Sequence, residues 1–197
     1  MSNFYLDIIK DRLYCEEANG AKRRSAQTAL YLILDTMTKI MAPILCYTCD
    51  EIWLAMAHRA GDDARNVLFN DMNGVFTDYA LDTDTMAKWE KIIEVRTAVN
   101  GVLETARAEK KIGKALEAAV SLTVPAEDAF LAEMDGEALA DLLIVSQVNV
   151  TVGGELAVSV ENAAGEKCPR CWKHSTAAGT DNLCPRCAAV VAIIPEF

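Results

Sequence analysis

Two Cys-x-x-Cys pairs constrain this chain more than any other feature. The first reads Cys168-Pro-Arg-Cys171 and is followed by Trp172; the second, after a twelve-residue spacer, reads Cys184-Pro-Arg-Cys187. A Cys-x-x-Cys turn lets two thiolates reach one metal, and a second pair completes a tetrahedron of soft sulfur ligands that suits Zn²⁺. Four protein ligands leave no open position for water, so the spacing predicts a structural site. Two disulfides or four free thiols remain as alternatives. Large apolar residues are few here, mainly Trp172, Leu183 and Val190. Zinc-finger peptides gain an apparent free energy of about 10–16 kcal/mol from their metal, and here the metal stands in for a core.

The 197 residues suffice for one large or two modest domains, and 52% of them are hydrophobic. A net charge of −10 argues against a general nucleic-acid binder, so any polyanion must meet local basic patches. Seven cysteines, four of them in the metal pairs, fit a reducing compartment better than a disulfide framework. No signal sequence and no apolar run of about 20 residues is present, which gives the expectation of a cytoplasmic protein without a membrane partner.

Apolar periodicity predicts a helix over 3–18, closed by Gly20. Its apolar first turn, directly after Met1, reads as a piece excised from a longer protein. A clear helix follows over 21–41, with Ala26, Ala29, Leu30, Ile33, Leu34, Met37, Ile40 and Met41 as its inner face. Lys22, Arg23 and Arg24 oppose the dipole at its start, either as a solvated end or as a site for an anion. Another helix is expected over 43–58 with Leu45, Thr48, Cys49, Ile52 and Met56 buried and Trp53 at the flank. Cys46 and Cys49 could form a redox pair, but no βαβ context surrounds them. Residues 59–81 read as irregular, with Val67-Leu68-Phe69 a short extended stretch. Asp82 or Thr83 then caps a helix to about 110, with Trp89, Ile92, Ile93, Val99, Val102, Leu103 and Ala106 inward. Beyond Gly113 the period changes to two. Strands are expected at 116–124, 145–152 and 156–161, with short helices over 126–134 and to 144, and Gly153-Gly154 as a turn.

Residues 3–14, Asn-Phe-Tyr-Leu-Asp-Ile-Ile-Lys-Asp-Arg-Leu-Tyr, resemble a helix start in the anticodon-binding domain of bacterial isoleucyl-tRNA synthetases. Met41-Ala-Pro-Ile-Leu45, Asp50-Glu-Ile-Trp53 and Ile112-Gly-Lys-Ala-Leu-Glu117 follow in that family's order, and both cysteine pairs resemble its terminal zinc finger. The finger alone is less specific, since a related one ends certain DNA repair glycosylases.

The resemblance implies a mainly α chain: a helical-bundle anticodon-binding domain over 1–110, truncated on its N-terminal side, a small α+β connector over 111–163, and a four-cysteine zinc ribbon over 164–197. It implies a class I aminoacyl-tRNA synthetase that joins isoleucine to its tRNA with ATP. The His-x-Gly-His and Lys-Met-Ser-Lys-Ser type motifs of that chemistry are absent, so this stretch is expected to be inactive alone and to carry no catalytic residue. ATP would belong to the missing catalytic domain. The expected partners are the anticodon arm of isoleucine tRNA and the remainder of the synthetase.

Single-stranded loops are read by stacking on aromatic or Arg planes, with phosphates held by Lys and Arg. Two clusters are candidates: Arg107, Lys110, Lys111 and Lys114; and Lys167, Arg170, Lys173, His174 and Arg186 around Trp172. Trp172 could stack on a base or pack over the metal site. Cys168, Cys171, Cys184 and Cys187 are the expected zinc ligands. An exposed apolar strip on the first helices, open to self-association, is also expected. A duplex-DNA module resembling the glycosylase tail, and a purely structural brace, are the competing readings.

Overall fold

A computed structural model describes residues 4–194; the expected helix start at residue 3 lies outside them. The structure is mainly helical with a small sheet, and its residues form two compact units, Met1–Glu17 with Leu81–Phe197, and Ala18–Ala80. These units cut across the sequence divisions at 110 and 163. Among the described residues no helix is long and apolar enough to cross a membrane.

The larger unit begins with two short helices, α1 (Tyr5–Ile8) and α2 (Lys10–Cys15). The expected helix over 3–18 is thus nicked at Ile9 and ends at Cys15. Helix α3 is Ala21–Met41 and α4 is Cys46–Ala55. Helix α5, Thr83–Ala108, starts where Asp82 accepts a hydrogen bond from the Thr85 backbone N–H at 2.7 Å, a side-chain cap of the kind that satisfies an orphan N–H. Its buried face is Ile92, Val95, Arg96, Val99, Leu103 and Ala106. Trp89 and Ile93, expected inside, are exposed.

Strand β1 (Ala118–Val124) is central in a three-stranded sheet of order β2-β1-β3. It alternates as period two requires, with Ala118, Val120, Leu122 and Val124 buried. After β1 the chain passes through α6 (Phe130–Glu133) and α7 (Gly136–Leu143) and returns parallel to β1 as β2, Gln147–Val152. Strand β3 (Ala157–Asn162) pairs antiparallel with the other edge of β1. The Gly153-Gly154 turn therefore does not close a hairpin. It carries the chain past the end of β1, where the Gly153 N–H donates to the Val124 carbonyl at 2.8 Å.

Arg96 ties α5 to its neighbours. It is 6% exposed, donates to the Leu142 carbonyl at 3.2 Å and lies 3.8 Å from Asp7. A guanidinium at the end of α7 answers carbonyls that have no helical partner.

In the smaller unit, which comprises α3, α4 and a 3-10 turn at Val67–Phe69, the expected face of α3 is kept at Ala26, which is buried, and is reversed in the C-terminal half of the helix. Asp35, Thr38, Lys39 and Ala42 are buried, at i, i+3, i+4 and i+7, while Leu34, Met37, Ile40 and Met41 are exposed. The expected apolar strip is therefore exposed. The burial of α3 follows a polar network instead. Asp35 pairs with Arg59 at 2.6 Å and with Lys39 at 3.2 Å, and the Asn73 amide donates to Asp35 at 2.6 Å. Trp53, expected at the flank of α4, is fully buried beside Cys49, Ala42 and Val67. Its indole N–H donates to the Asp63 carbonyl at 3.0 Å, and Lys39 lies 5.1 Å from its ring. Leu45 and Thr48, expected inside, are exposed. Cys46 is exposed and Cys49 buried, so Cys49 serves packing.

Candidate metal centre and the surface around it

The finger is built from a short hairpin, β4 (Glu166–Lys167) with β5 (His174–Ser175), and helix α8, Pro185–Ala192. The hairpin places the first cysteine pair in its turn. The Cys168 N–H donates to the Lys173 carbonyl and the Trp172 N–H to the Cys168 carbonyl, both at 2.9 Å. The second pair sits where α8 begins: Cys184 is its N-cap and Pro185 its first residue, a position where the missing N–H costs nothing. Gly165 holds the hairpin close. A Cβ there would meet the Ser175 backbone at 2.3 Å, and its φ is +88°.

All four cysteines are at most 9% exposed, and their sulfurs lie within 4.8 Å of one another. Cys171 and Cys184 sulfurs are 3.7 Å apart. Tetrahedral zinc with Zn–S bonds of about 2.3 Å separates its ligands by about 3.8 Å, so this donor set fits the metal. Backbone N–H groups of Cys171, Cys184 and Arg170 hold the Cys168 thiol below its ordinary range, against the opposing effect of burial. A thiolate held by N–H donors is the form a metal takes up.

Three of the finger's cations, Arg170, Lys173 and Arg186, face inward. Arg186 reaches Asp11 with both terminal nitrogens, the second at 2.8 Å, and lies 3.3 Å from Glu16. This paired geometry on a carboxylate is the strong form of an ion pair. Hydrogen bonding to Asp11 raises the Arg186 pKa further. Burial works against the Asp11 carboxylate, but Arg186 keeps its pKa below the ordinary value. Arg170 donates to the Cys15 carbonyl at 2.5 Å, and Lys173 pairs with Asp141. Ser146 joins the finger to the sheet, accepting from the His174 N–H at 2.7 Å and donating to the Leu116 carbonyl. Of the expected RNA contacts, Arg170, Lys173 and Arg186 are thus engaged within the chain. Replacing Arg186 by Ala is expected to cost about 2–3 kcal/mol, because Asp11 and Glu16 lose a charged donor. Hydrogen exchange of α2 should quicken while bound zinc is retained; unchanged exchange would contradict the role of the pair.

The other candidates are open to solvent. Arg107, Lys110, Lys111 and Lys114 are exposed, and so is Lys167. Arg107 pairs with Glu104 and Lys111 with Glu109, each at 2.7 Å; such surface pairs hold only about 0–1 kcal/mol. Helix α5 ends with Lys110 at φ +59° and with the Lys111 N–H on the Ala106 carbonyl, a left-handed closure. Glu117 then accepts from the N–H groups of Gly113 and Lys114 at 2.8 and 3.2 Å. This fixes the turn that presents Lys114, whose ammonium lies 5.4 Å from the Trp172 ring centroid. Trp172, one of the few apolar residues expected to pack the finger, is 55% exposed. Sequence reasoning missed Asp11 and Glu16 as finger partners; these two acids near the start of the chain were the signal, but nothing local linked them to Arg186.

A family model described as the anticodon-binding domain of tRNA ligase matches residues 1–122, and one described as a zinc finger found in FPG and IleRS matches 165–190. The chain is similar to an isoleucine–tRNA ligase of Kosmotoga olearia, 42% identical over 97% of this chain and 22% of that protein. It is also similar to those of Neisseria meningitidis serogroup A (42% identical, 94% of this chain, 20% of that protein) and Syntrophotalea carbinolica (41%, 97% and 22%). The chain spans about a fifth of the length of these relatives. The anticodon-binding match extends over well more than half of the 197 residues, and the chain belongs to the anticodon-binding domain family of tRNA ligases.

Proposed function

We propose that this chain is the tRNA-gripping C-terminal region of a cytoplasmic isoleucine–tRNA ligase, a class I aminoacyl-tRNA synthetase. The whole protein would join isoleucine to its tRNA with ATP. The present residues would hold the anticodon arm and carry no catalysis, and ATP would bind in the catalytic region. The anticodon-binding family match over residues 1–122 carries the reading. The finer architecture follows the same lines: a helical anticodon-binding part over 1–110, a small α+β connector over 111–163 and a zinc ribbon over 164–197. One structural Zn²⁺ would be held by Cys168, Cys171, Cys184 and Cys187. The metal would supply no reaction chemistry; its four thiolates would fix the finger's shape.

The RNA face of this reading is Arg107, Lys110, Lys111 and Lys114 with the exposed Trp172. Their charge is local on a chain of net charge −10, so phosphate contacts should dominate the salt dependence. Arg170, Lys173 and Arg186 would serve RNA indirectly, by fixing the finger. That inward engagement also supports a bracing role for the finger, beside RNA binding by the remaining surface. Changing Lys110, Lys111 and Lys114 together to Ala should weaken binding of isoleucine tRNA at least tenfold and lower the salt slope by about 2–3. Unchanged affinity and slope would remove this segment from the interface.

A further inference from the structure

Three Asn-Gly pairs occur in the chain, at 19–20, 73–74 and 100–101. This dipeptide carries a reaction of its own. The glycine nitrogen, with no Cβ beside it to hinder approach, attacks the side-chain carbonyl carbon of the asparagine. The amide leaves as ammonia and a cyclic succinimide closes. Water then opens the ring to aspartate or isoaspartate. One water is consumed and one ammonia released, so neither an oxidant nor an enzyme is required. The fold treats the three pairs differently. Gly101 lies inside helix α5, where the helical ladder claims its N–H. Asn19 is exposed in a turn. Asn73 is tied into the buried polar network of the smaller unit.

The Asn73 amide uses its full hydrogen-bonding capacity. Its nitrogen donates to Asp35 Oδ2 at 2.6 Å and to Thr36 Oγ1 at 2.9 Å. Its oxygen accepts from Arg59 at 2.9 Å and from Lys39 at 3.4 Å. Such an amide cannot turn toward the next residue without breaking bonds to partners that are themselves buried or charged. Gly74, in contrast, is ready to react. It is exposed, its N–H has no partner among the described residues, and a Cβ there would meet nothing within 4 Å. The reaction is therefore held back at the asparagine.

The product does not suit the site. A carboxylate at position 73 loses both N–H donors and sets an oxygen where the amide nitrogen faced Asp35. Asp35 is fully buried, and two carboxylates sharing a buried site repel. Asp62 is already a second acid beside Lys39 and Arg59, so the added charge leaves acids in excess. An isoaspartate also lengthens the backbone at that residue.

We propose that Asn73-Gly74 is a self-modification site locked by the Asp35 network. The amide reacts when the smaller unit opens, and the carboxylate left behind prevents the network from re-forming. The rate then follows the population of the open state, and the unit ages irreversibly through one residue.

The test incubates the 197-residue protein at mildly alkaline pH and follows each Asn-Gly peptide by mass spectrometry, with Asn19 as the internal reference. In the wild type Asn73 should deamidate at least about tenfold more slowly than Asn19, and in urea the two rates should converge. Asp35→Ala should raise the Asn73 rate at least about tenfold and leave that of Asn19 within about twofold. Val67→Ala, which loosens the cluster around Trp53 and leaves the partners of Asn73 in place, should raise it as well, and decides the matter if Asp35→Ala fails to fold. Gly74→Ala should suppress the reaction in every background. Asn73→Asp should lower the denaturant midpoint of the smaller unit. Equal wild-type rates at Asn73 and Asn19, or an Asn73 rate unchanged in Asp35→Ala and Val67→Ala, would overturn the lock. A wild-type midpoint in Asn73→Asp would overturn the effect of the product.

Discussion

Changing Cys168 and Cys171 to Ser is expected to abolish zinc binding and to unfold the finger from Glu166 to Ala192. The effect is large because little else holds this segment. Its buried apolar residues beyond the cysteines are Val190 and, in part, Leu183, whereas a structural zinc site contributes about 10–16 kcal/mol. Loss of the finger also removes Arg186 from Asp11, Arg170 from the Cys15 carbonyl and Lys173 from Asp141. Helix α2 should then lose amide protection, because it has six residues and such short helices are marginal alone. The sheet and α5 should keep theirs, since their core of Val99, Leu103, Val120 and Leu122 is independent of the metal. Metal analysis and hydrogen exchange check both halves. Full protection of residues 166–192 in the metal-free variant would contradict the account.

Asp35→Ala should destabilise the smaller unit by about 3–5 kcal/mol, the usual effect of leaving one partner of a buried ion pair uncompensated. Asp35 is fully buried and accepts from Arg59 and Asn73. Without it Lys39, whose side chain is 4% exposed, keeps Asp62 at 3.6 Å, the Asn73 side-chain oxygen at 3.4 Å and the face of Trp53, and of these only Asp62 is an anion. The apolar cluster around Trp53 is too small to absorb the loss. Asp35→Ala with Lys39→Met should recover part of the stability, because the stranded charge is then gone. Denaturant unfolding followed by Trp53 fluorescence, with Trp89 and Trp172 changed to Phe, measures both. A loss below about 1 kcal/mol would contradict the network's importance.

Local features of the chain were legible because local physics sets them. The apolar repeat from Ala26 to Met41 marks a helix, and α3 spans Ala21–Met41. Asp82 marks the start of α5, and alternation of Val120, Leu122 and Val124 marks β1. The cysteine spacing predicted a cluster that the fold brings together. What stayed hidden depends on distant partners. The buried face of α3 could not be read from hydrophobicity, because Arg59 and Asn73 select Asp35 and Lys39 from further along the chain. The neighbours of β1 could not be read from the Gly153-Gly154 turn, which looks like a hairpin. The roles of Arg170 and Arg186 were hidden by separations of 155 and 175 residues from their partners. A basic residue in a finger reads as a nucleic-acid contact until its acid is located.

The most direct measurement is equilibrium binding of this chain to isoleucine tRNA, a tRNA with another anticodon, and duplex DNA, at one salt concentration. The account predicts the tightest binding to isoleucine tRNA, with its isolated anticodon stem-loop competing for the same surface. Equal affinity for all three, or a preference for duplex DNA, would contradict it.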